Sequence, residues 1–585
     1  MPFSSKSRHA LAFRWTLYTA ERLGQLKISF GIAPLAFLFV WLIANWVSTI
    51  RAMVHSYNPL PIWDYWRVVQ NFDKYKALDF SVLWIQHNEH RIVFPEIVFA
   101  TDMLFFHGRQ LLPLIISFIC YFLIWIILSA AFRSDKTLSP LVCGAGILIS
   151  GAMIGWQGCV VIVGSAFLLQ WTMLQLAVTL GLFLLVKTRQ CKSSLYLAGA
   201  ITCGIIATYS SGNGMLIWPV MILAALLIPL TRFRFLILIL AATASTALYF
   251  VGYHSPHDLN LLGMVRHPLY VLGFIASYLS MPFGAIGSST LSLMIGSLNL
   301  FLFFTTLFIV LRRQLFGADL PILLLGSYLF TLLTAVLTAA GRMNPADHQY
   351  IAAKAARYVS LPLVNWAVLL LALIWLSSRR KWEVFSSGNL IFIAPLIFLV
   401  AFLKLGPWVH GNNAAVLNQQ WATLSLESDL FIPSILRSQV FPDSGFIRQS
   451  LLTLKQNRLS IYWNQPDATW VGRQAKSEFP GSWATSLQGE ITQMYLLPGG
   501  AAITGLQPHL KSFAKLILVD GHGKIVGLGE RLPAGIPAFF GPTSGTNQQN
   551  WVGFLNARYG SKEFSVYLVK NHDLIRTTNP IAFPN

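Results

Sequence analysis

The side chains best able to do chemistry are concentrated in one stretch of the sequence, residues 51–109. This stretch contains six acidic residues: Asp64, Asp73, Asp79, Glu89, Glu96 and Asp102. Residues 111–405 form a far longer part of the chain and contain only five acidic residues. A carboxylate next to a reacting hydroxyl can take its proton, so residues 51–109 are the first place to seek a general base.

Asp64 is the strongest candidate within this stretch because it stands in the motif WDYW, with Trp63 before it and Tyr65 and Trp66 after it. A carboxylate among bulky aromatic side chains is costly unless it is paired or functional. We therefore predict that Asp64 acts as a catalytic base. Asp73, which has a more polar neighbourhood, is interpreted as part of a solvated face.

A second cluster follows in the string QHNEHR, which holds His87, Glu89, His90 and Arg91. Its spacing differs from HExxH and HxxEH, which disfavours a zinc protease. The planar guanidinium of Arg91 suits bidentate contact with a phosphate, so we predict that His90 and Arg91 bind an anionic group. A metal site built on the two histidines and a structural network of ion pairs remain alternatives.

A third polar cluster lies in the string GRMNPADHQYIAAKAARYVSLP, far along the chain. We predict that Arg342, Lys354, Arg357 and Tyr358 contribute to phosphate binding. Lys354 and Arg357 are three residues apart and would share one face of a helix. The alternative is that these cations extend toward lipid headgroups without a catalytic role.

The composition defines the environment in which these clusters must work. Of the 585 residues, 55% are hydrophobic and 11% are charged, and the mean hydropathy is +0.59. Ordinary soluble domains carry about 25% charged residues, so the chain is predicted to be an integral membrane protein. The net charge of +20 would suggest nucleic acid in a soluble protein, but here the basic residues fall between apolar runs, so no nucleic-acid partner is expected.

About eleven transmembrane helices are predicted from apolar runs of spanning length. They lie near residues 28–50, 110–132, 138–156, 160–186, 195–211, 213–230, 235–253, 285–311, 320–340, 358–377 and 387–404. The segment 267–283 is ambiguous and could be a re-entrant or interfacial helix. Alternate connections are basic, as in Arg133/Lys136, Lys187/Arg189 and Arg312/Arg313. By the positive-inside rule, residues 1–27 are predicted to be cytoplasmic.

An odd number of spans then places the C-terminal portion on the far side of the membrane, together with the first external loop, 51–109. We predict a helical connector over 406–465 and a small periplasmic β-sandwich over 466–585, with a hairpin at AKLILVDGHGKIVGLG. Because this portion follows the last span, we expect it to be dispensable for membrane insertion. The aromatic residues of the first loop predict short amphipathic helices at the interface.

This pattern resembles the GT-C superfamily of membrane glycosyltransferases. The resemblance rests on a cytoplasmic N-terminus, a first helix followed by a long external loop with an early acid in WDYW, further helices and a C-terminal extracytoplasmic domain. The strings HNEHRIVFPEI, GR…AARY and FPDSGFIRQSLLTLKQNRLSIYW also look like those of a group of bacterial polytopic membrane proteins. The implied location is the bacterial inner membrane.

The resemblance implies transfer of a sugar from a polyprenyl-phosphate carrier to a glycan or lipid acceptor at the periplasmic face. Asp64 matches the catalytic first-loop acid of the superfamily. Many members have paired acids there, whereas this chain has WDYW, so Glu89 is the candidate second acid and a divalent metal ion remains an open possibility. The phosphate leaving group would require Arg or Lys nearby.

Three other functions remain open from the sequence. A polysaccharide or lipid transporter or flippase would carry charges near the bilayer midplane. An O-antigen polymerase or ligase also uses external arginines but usually places its large loop late in the chain. A non-enzymatic envelope scaffold would depend on the β domain.

Overall fold

A computed structural model gives the architecture. It describes residues 32–190, 193–255, 261–286, 288–342, 344–379, 418–463, 470–506, 515–531, 551–559, 563–570 and 572–583. The predicted cytoplasmic segment 1–27, the predicted span 387–404 and residues 406–417 of the predicted connector lie outside these ranges.

The described part of the chain contains eight helical segments that are long and apolar enough to cross a membrane. They are Leu35–Ser56, Leu111–Ser134, Pro140–Cys159, Ala166–Lys187, Arg232–Tyr249, Ser289–Arg312, Asp319–Arg342 and Ala356–Ser378. Three shorter apolar helices accompany them: Ser194–Thr208, Gly212–Leu226 and Pro268–Leu279. The protein therefore has the architecture of a multi-pass membrane protein, but the predicted count of eleven spans is not confirmed.

The basic connections come together at one end of this helix bundle. Arg379 pairs with Asp135 at 3.2 Å, and Arg189 pairs with Asp319 at 3.8 Å. Nη2 of Arg234 donates to Oγ of Ser194 at 3.5 Å. These contacts join connections that are distant in sequence, as the alternation of basic clusters predicted. We call this end of the bundle the basic side, and the opposite end, which carries residues 57–109, the loop side.

Helix Pro268–Leu279 does not connect the two sides. The last long helix before it, Arg232–Tyr249, ends at a residue that contacts the first loop, and among the described residues only the short helix Leu261–Arg266 intervenes. The next long helix begins at Ser289, whose Oγ accepts from Nζ of Lys354 on the loop side. The intervening segment must therefore start and finish on the same side. Twelve residues span only about 18 Å as a helix, too little for a bilayer core. This supports the re-entrant or interfacial interpretation of 267–283.

The first helix ends at Ser56 rather than at residue 50, so the predicted external loop begins six residues too early. The loop itself consists of short elements, as predicted. In chain order they are the helices Tyr65–Gln70 and Phe72–Lys76, the 3-10 helix Phe80–Trp84, strands β1 (Gln86–His87) and β2 (His90–Arg91), and the helix Val93–Phe105. Strands β1 and β2 form an antiparallel hairpin.

The first loop and the region after residue 418 share one hydrophobic core. Buried side chains of the loop, such as Trp66 and Val69, belong to the same cluster as Trp421, Ile447 and Leu454. Those residues lie in helical segments that include Pro433–Gln439 and Ser444–Asn457. A continuous core means that the two regions stabilise each other, although the whole helix bundle separates them in the sequence.

The C-terminal strands form one mixed sheet. They are β3 (Trp483–Thr485), β4 (Glu490–Leu497), β5 (Gly500–Leu506), β6 (Lys515–Asp520), β7 (Ile525–Arg531), β8 (Trp551–Asn556), β9 (Glu563–Lys570), β10 (Asp573–Arg576) and β11 (Ile581–Ala582). Their order is β3-β10-β9-β6-β7-β8-β5-β4, with β11 beside β9. Among the strands that the structure describes, only β3 and β10 are parallel neighbours. Strands β6 and β7 form the predicted hairpin, with Gly523 at φ +80° in its turn.

The predicted β-sandwich is not confirmed, because the described strands belong to a single sheet with two buried faces. Along β6, Ile517 and Val519 point into the core shared with the first loop. Leu516 and Leu518 point into a separate, smaller core. Alternation of side chains along a strand produces this division. One face of the sheet is therefore attached to the candidate site region through continuous packing.

Candidate functional site

Asp64 is held in position by its neighbours in the chain. Trp63 adopts a left-handed backbone conformation with φ +51°, which is uncommon for a bulky residue. Its N–H donates to the carbonyl of Val440 at 2.7 Å. Tyr65 and Trp66 are fully buried. Asp64 thus stands at the start of helix Tyr65–Gln70, after the hydrogen-bonded Trp63 and before the buried Tyr65 and Trp66. Its own side chain is 37% exposed.

The carboxylate of Asp64 contacts a histidine from the hairpin. Nε2 of His87 lies 3.3 Å from Oδ2 of Asp64, and the His87 side chain is 9% exposed. The imidazole packs against Phe167, with ring centroids 4.8 Å apart. Burial by itself would raise the pKa of Asp64. The contact with His87 and the charges of Arg67 and Arg357 outweigh it and hold the pKa below its ordinary value. Asp64 is therefore ionised at neutral pH, as a general base must be.

The hairpin turn joins the first loop to the helix bundle at two points. Glu89 pairs with Arg342 at 3.2 Å, at the end of helix Asp319–Arg342. Nδ1 of His90 accepts from the backbone N–H of Gly212 at 3.0 Å. A Cβ at position 212 would come within 2.8 Å of that Nδ1, so only glycine fits there. Burial lowers the pKa of His90 to about 4, although the charge of Glu89 opposes the shift.

Arg91 does not have the position that the phosphate-binding prediction requires. Its side chain is almost wholly buried, and its guanidinium lies 4.7 Å from the centroid of the Trp84 ring. Nε donates to the carbonyl of Tyr249 at 2.7 Å, Nη1 to that of Trp84 at 2.5 Å and Nη2 to that of Val251 at 2.6 Å. The structure therefore gives Arg91 a structural role, in which it fastens the hairpin to the end of helix Arg232–Tyr249.

The third polar cluster lies on the same loop side. Arg357 is exposed, and its guanidinium stands 5.0 Å from the centroid of Tyr358. Within the described ranges no carboxylate pairs with Arg357 or with Lys354, whose Nζ donates to Ser289 at 3.1 Å. The charge of Arg357 contributes to the lowered pKa of Asp64. The predicted shared helix face is absent, because the 3-10 helix Ala356–Tyr358 includes Arg357 but not Lys354.

Tyr358 is buried beneath Arg357 in an aromatic cluster. Its ring centroid lies 5.7 Å from that of Trp171 and 5.4 Å from that of Tyr278. These rings come from three separate helical segments of the bundle. Tyr358 therefore forms a rigid base for the Arg357 guanidinium rather than a free polar group at the surface.

Two acids that sequence reasoning left without a role prove to be buried and hydrogen-bonded. Oε1 of Glu96 accepts from the hydroxyl of Tyr75 at 2.5 Å and from Nδ2 of Asn71 at 3.2 Å. Asp102 accepts from the backbone N–H groups of Gln110 and Leu112, at 2.8 Å and 3.1 Å. Burial raises the pKa of Asp102 to about 6. A signal was present in the sequence, since both acids stand within an apolar helical pattern.

The described residues contain no group of three or more His, Cys, Asp or Glu side chains placed to hold a metal ion. Asp64 and His87 offer two donors, and Glu89 is paired with Arg342 instead of adding a third. This set of side chains therefore does not support the binding of a divalent metal ion, since protein sites for such ions usually supply more donors.

These groups together can carry out acid–base chemistry beside an anion. An ionised carboxylate in contact with a buried histidine lies on the same side of the bundle as two cations, Arg357 and Lys354, that have no carboxylate partner in the described structure. The carboxylate can take a proton from a hydroxyl, and the cations can stabilise a phosphate that gains negative charge.

Comparisons with known proteins add no family assignment. No protein-family model matches the chain. The curated proteins likewise include none that matches it. What can be said of its function therefore rests on the arrangement of these residues and on the membrane architecture that carries them.

Proposed function

We propose that this protein is a glycosyltransferase of the bacterial inner membrane. Its donor is a sugar carried on polyprenyl phosphate, and its acceptor is a component of the cell envelope. The loop side is the periplasmic face in this proposal, and the basic side is cytoplasmic, in keeping with the usual excess of Lys and Arg in cytoplasmic connections. We also propose that the protein is related to the GT-C superfamily of membrane glycosyltransferases, which its sequence resembles.

The observation that carries the proposal is the contact of Asp64 with His87, on the loop side of the bundle that also presents the exposed cation Arg357. In the transfer step, the acceptor O–H gives its proton to the Asp64 carboxylate while the acceptor oxygen bonds to the anomeric carbon. The bond from that carbon to the carrier phosphate breaks, and its electron pair leaves on the phosphate oxygen. Arg357 and Lys354 then stabilise the charge that grows on the phosphate.

The tethered hairpin supports the same proposal. His87 is held by the hairpin, and the hairpin is fixed to the bundle by Arg91, His90 and the pair formed by Glu89 and Arg342. A base and a phosphate-binding cation from different parts of the chain are useful only if their separation is fixed. In this proposal Glu89 serves as a partner of Arg342 and not as a second catalytic acid.

A transporter or flippase is the second candidate, and one feature favours it. Tyr328, Asn299 and Asn365 form a buried polar network between three helices, in which the Tyr328 hydroxyl donates to Oδ1 of Asn299 at 2.5 Å. The network carries no charge, however. Charged side chains of the described spans lie near the helix ends, whereas transport pathways usually hold them near the midplane. This favours chemistry at the loop side.

Lipid mass spectrometry of a deletion strain tests the proposal. Loss of the protein should cause a polyprenyl-phosphate-linked sugar to accumulate. The wild-type gene should reverse the accumulation, and the Asp64→Asn variant should not. An unchanged lipid profile, or full reversal by Asp64→Asn at equal membrane abundance, contradicts the proposal. A flippase would instead move the carrier between the leaflets of reconstituted vesicles without cleaving it.

A further inference from the structure

A cleft of about 250 Å³ is lined in part by His87, the histidine whose Nε2 contacts the candidate base Asp64. Its wall is built from the first loop, from Phe167 of the bundle and from Phe446 of helix Ser444–Asn457. It is smaller than the roughly 300–1,000 Å³ of pockets that hold drug-sized ligands. The volume suits a ligand about the size of one sugar ring.

The cleft offers hydrogen-bond acceptors and donors that no protein group uses. Glu96 lines it, and only Oε1 of that carboxyl is engaged by Tyr75 and Asn71. Within the described ranges Oε2 accepts no hydrogen bond. Gln70 and Arg67 also line the cleft, and both side chains are exposed. Sugar hydroxyls both donate and accept, so they can bond to a carboxylate, an amide and a guanidinium at once.

The remaining lining of the cleft is apolar. Phe446, Val82 and Ile92 contribute ring and aliphatic surface. Phe446 packs against Phe441, with ring centroids 5.1 Å apart, which fixes the orientation of its ring. A sugar ring has a polar edge and less polar faces, so it needs hydrogen-bonding groups at its rim and an apolar surface beneath it. This cleft supplies both.

His87 connects the cleft to the candidate base. The imidazole lines the cleft, and its Nε2 lies 3.3 Å from Oδ2 of Asp64. A ligand in the cleft would therefore contact the residue that is in direct contact with the candidate base.

We propose that this cleft is the acceptor subsite and that the acceptor is a neutral sugar ring of a glycan rather than a lipid hydroxyl. The proposal rests on the proposed glycosyltransferase function and narrows its acceptor. Neutral sugars are favoured over acidic ones because the cleft offers the ligand one carboxyl, Glu96, and one guanidinium, Arg67, and so has no excess of positive charge. A lipid acceptor would require a longer apolar channel than the mixed lining of this cleft provides.

Saturation-transfer NMR on the full-length protein in nanodiscs tests the subsite without a donor. The probes are methyl glycosides of a neutral hexose, a 6-deoxyhexose, a pentose, an N-acetylhexosamine and a uronic acid. At least one neutral glycoside should bind, and the uronic acid should bind more weakly. Glu96→Gln keeps the side-chain shape, and Gln70→Ala changes only an exposed group. Each should weaken binding about tenfold, whereas the nearby Asp73→Asn should leave it unchanged.

The outcomes separate this inference from the function on which it rests. If a neutral glycoside binds and both variants weaken that binding, the acceptor subsite is supported even if the protein cleaves no carrier-linked sugar. If no neutral glycoside binds, or binding is equal in Glu96→Gln, Gln70→Ala and wild type, the subsite is wrong. Transfer to an acceptor whose KM is unchanged by both variants would likewise overturn the subsite while leaving the glycosyltransferase proposal intact.

Discussion

Nε2 of His87 lies 3.3 Å from Oδ2 of Asp64, although the two residues belong to different elements of the first loop. Helix Tyr65–Gln70 carries the carboxylate at its start, and strand β1 carries the imidazole. The contact helps to lower the pKa of Asp64, which favours the ionised form that the proposed base requires.

Asp64→Asn should give a folded and inserted protein that is nearly inactive. The amide keeps the size of the side chain and loses its basicity, so the transfer rate should fall by about 10²–10⁴-fold. The measurement is product formed by purified protein in nanodiscs with a synthetic polyprenyl-phosphate sugar. Asp73→Asn, at an exposed position of the same loop, is the matched control. Retention of more than about half of the wild-type rate, against that expected factor, would show that Asp64 is not the base.

Arg357→Ala should weaken donor binding, because the guanidinium is proposed to contact the carrier phosphate. A hydrogen bond to a charged group contributes about 1.5–3 kcal/mol, which corresponds to roughly tenfold to hundredfold in affinity. Arg357→Lys should also weaken donor binding, since lysine lacks the planar fork and stacks less well on Tyr358. Lys74→Ala removes a different loop cation and serves as the control. Unchanged donor KM in Arg357→Ala would favour a simple lipid-headgroup contact.

Glu89→Gln should have only a modest effect if Glu89 acts through Arg342. Partly exposed ion pairs contribute about 0.2–1 kcal/mol, which is less than a tenfold change in rate. Reversing both charges, in Glu89→Arg with Arg342→Glu, should recover activity relative to either reversal alone. A loss comparable to that of Asp64→Asn, with no recovery in the double variant, would instead make Glu89 a second catalytic acid.

Truncation before residue 418 should disrupt the first loop, although the C-terminal portion is expected to be dispensable for membrane insertion. Trp66 and Val69 share their core with Ile447 and Leu454, so removal of the latter exposes apolar surface of the loop. We expect the truncated protein to be inserted but inactive, with faster tryptic cleavage at Lys74 and Lys76. Wild-type protection of those two sites in the truncated protein would contradict the shared core.

Asp102 should make stability depend on pH in a defined direction. Burial raises its folded-state pKa to about 6, above the ordinary value of 3.8. Between these values the folded state holds a proton that the unfolded state has lost, so stability falls as pH rises through this window. Relative to Asp102→Asn, which does not titrate, the wild type should lose thermal stability between pH 4 and pH 7. Equal pH dependence of the two unfolding temperatures would refute this assignment.

The sequence by itself determined the membrane architecture and the relative sides of its connections. Apolar runs of spanning length must lie in a membrane. Basic clusters, such as those with Arg189 and Arg379, recur in alternate connections. The ion pairs of these two residues with Asp319 and Asp135 show that the connections meet at one end of the bundle. Interleaved aromatic residues also predicted the short helices of the first loop, and two apolar runs around a glycine-containing turn predicted the β6–β7 hairpin. These features depend on local composition, which a linear pattern records directly.

Only the tertiary structure decided which of the polar residues are free. Arg91, Glu89 and Arg357 look alike in a sequence as charged groups near a candidate base. In the fold, Arg91 donates to three backbone carbonyls and Glu89 pairs with Arg342, whereas Arg357 is exposed. Such contacts join residues that are up to hundreds of positions apart. Their partners depend on how helices pack in three dimensions, and no local pattern encodes that packing.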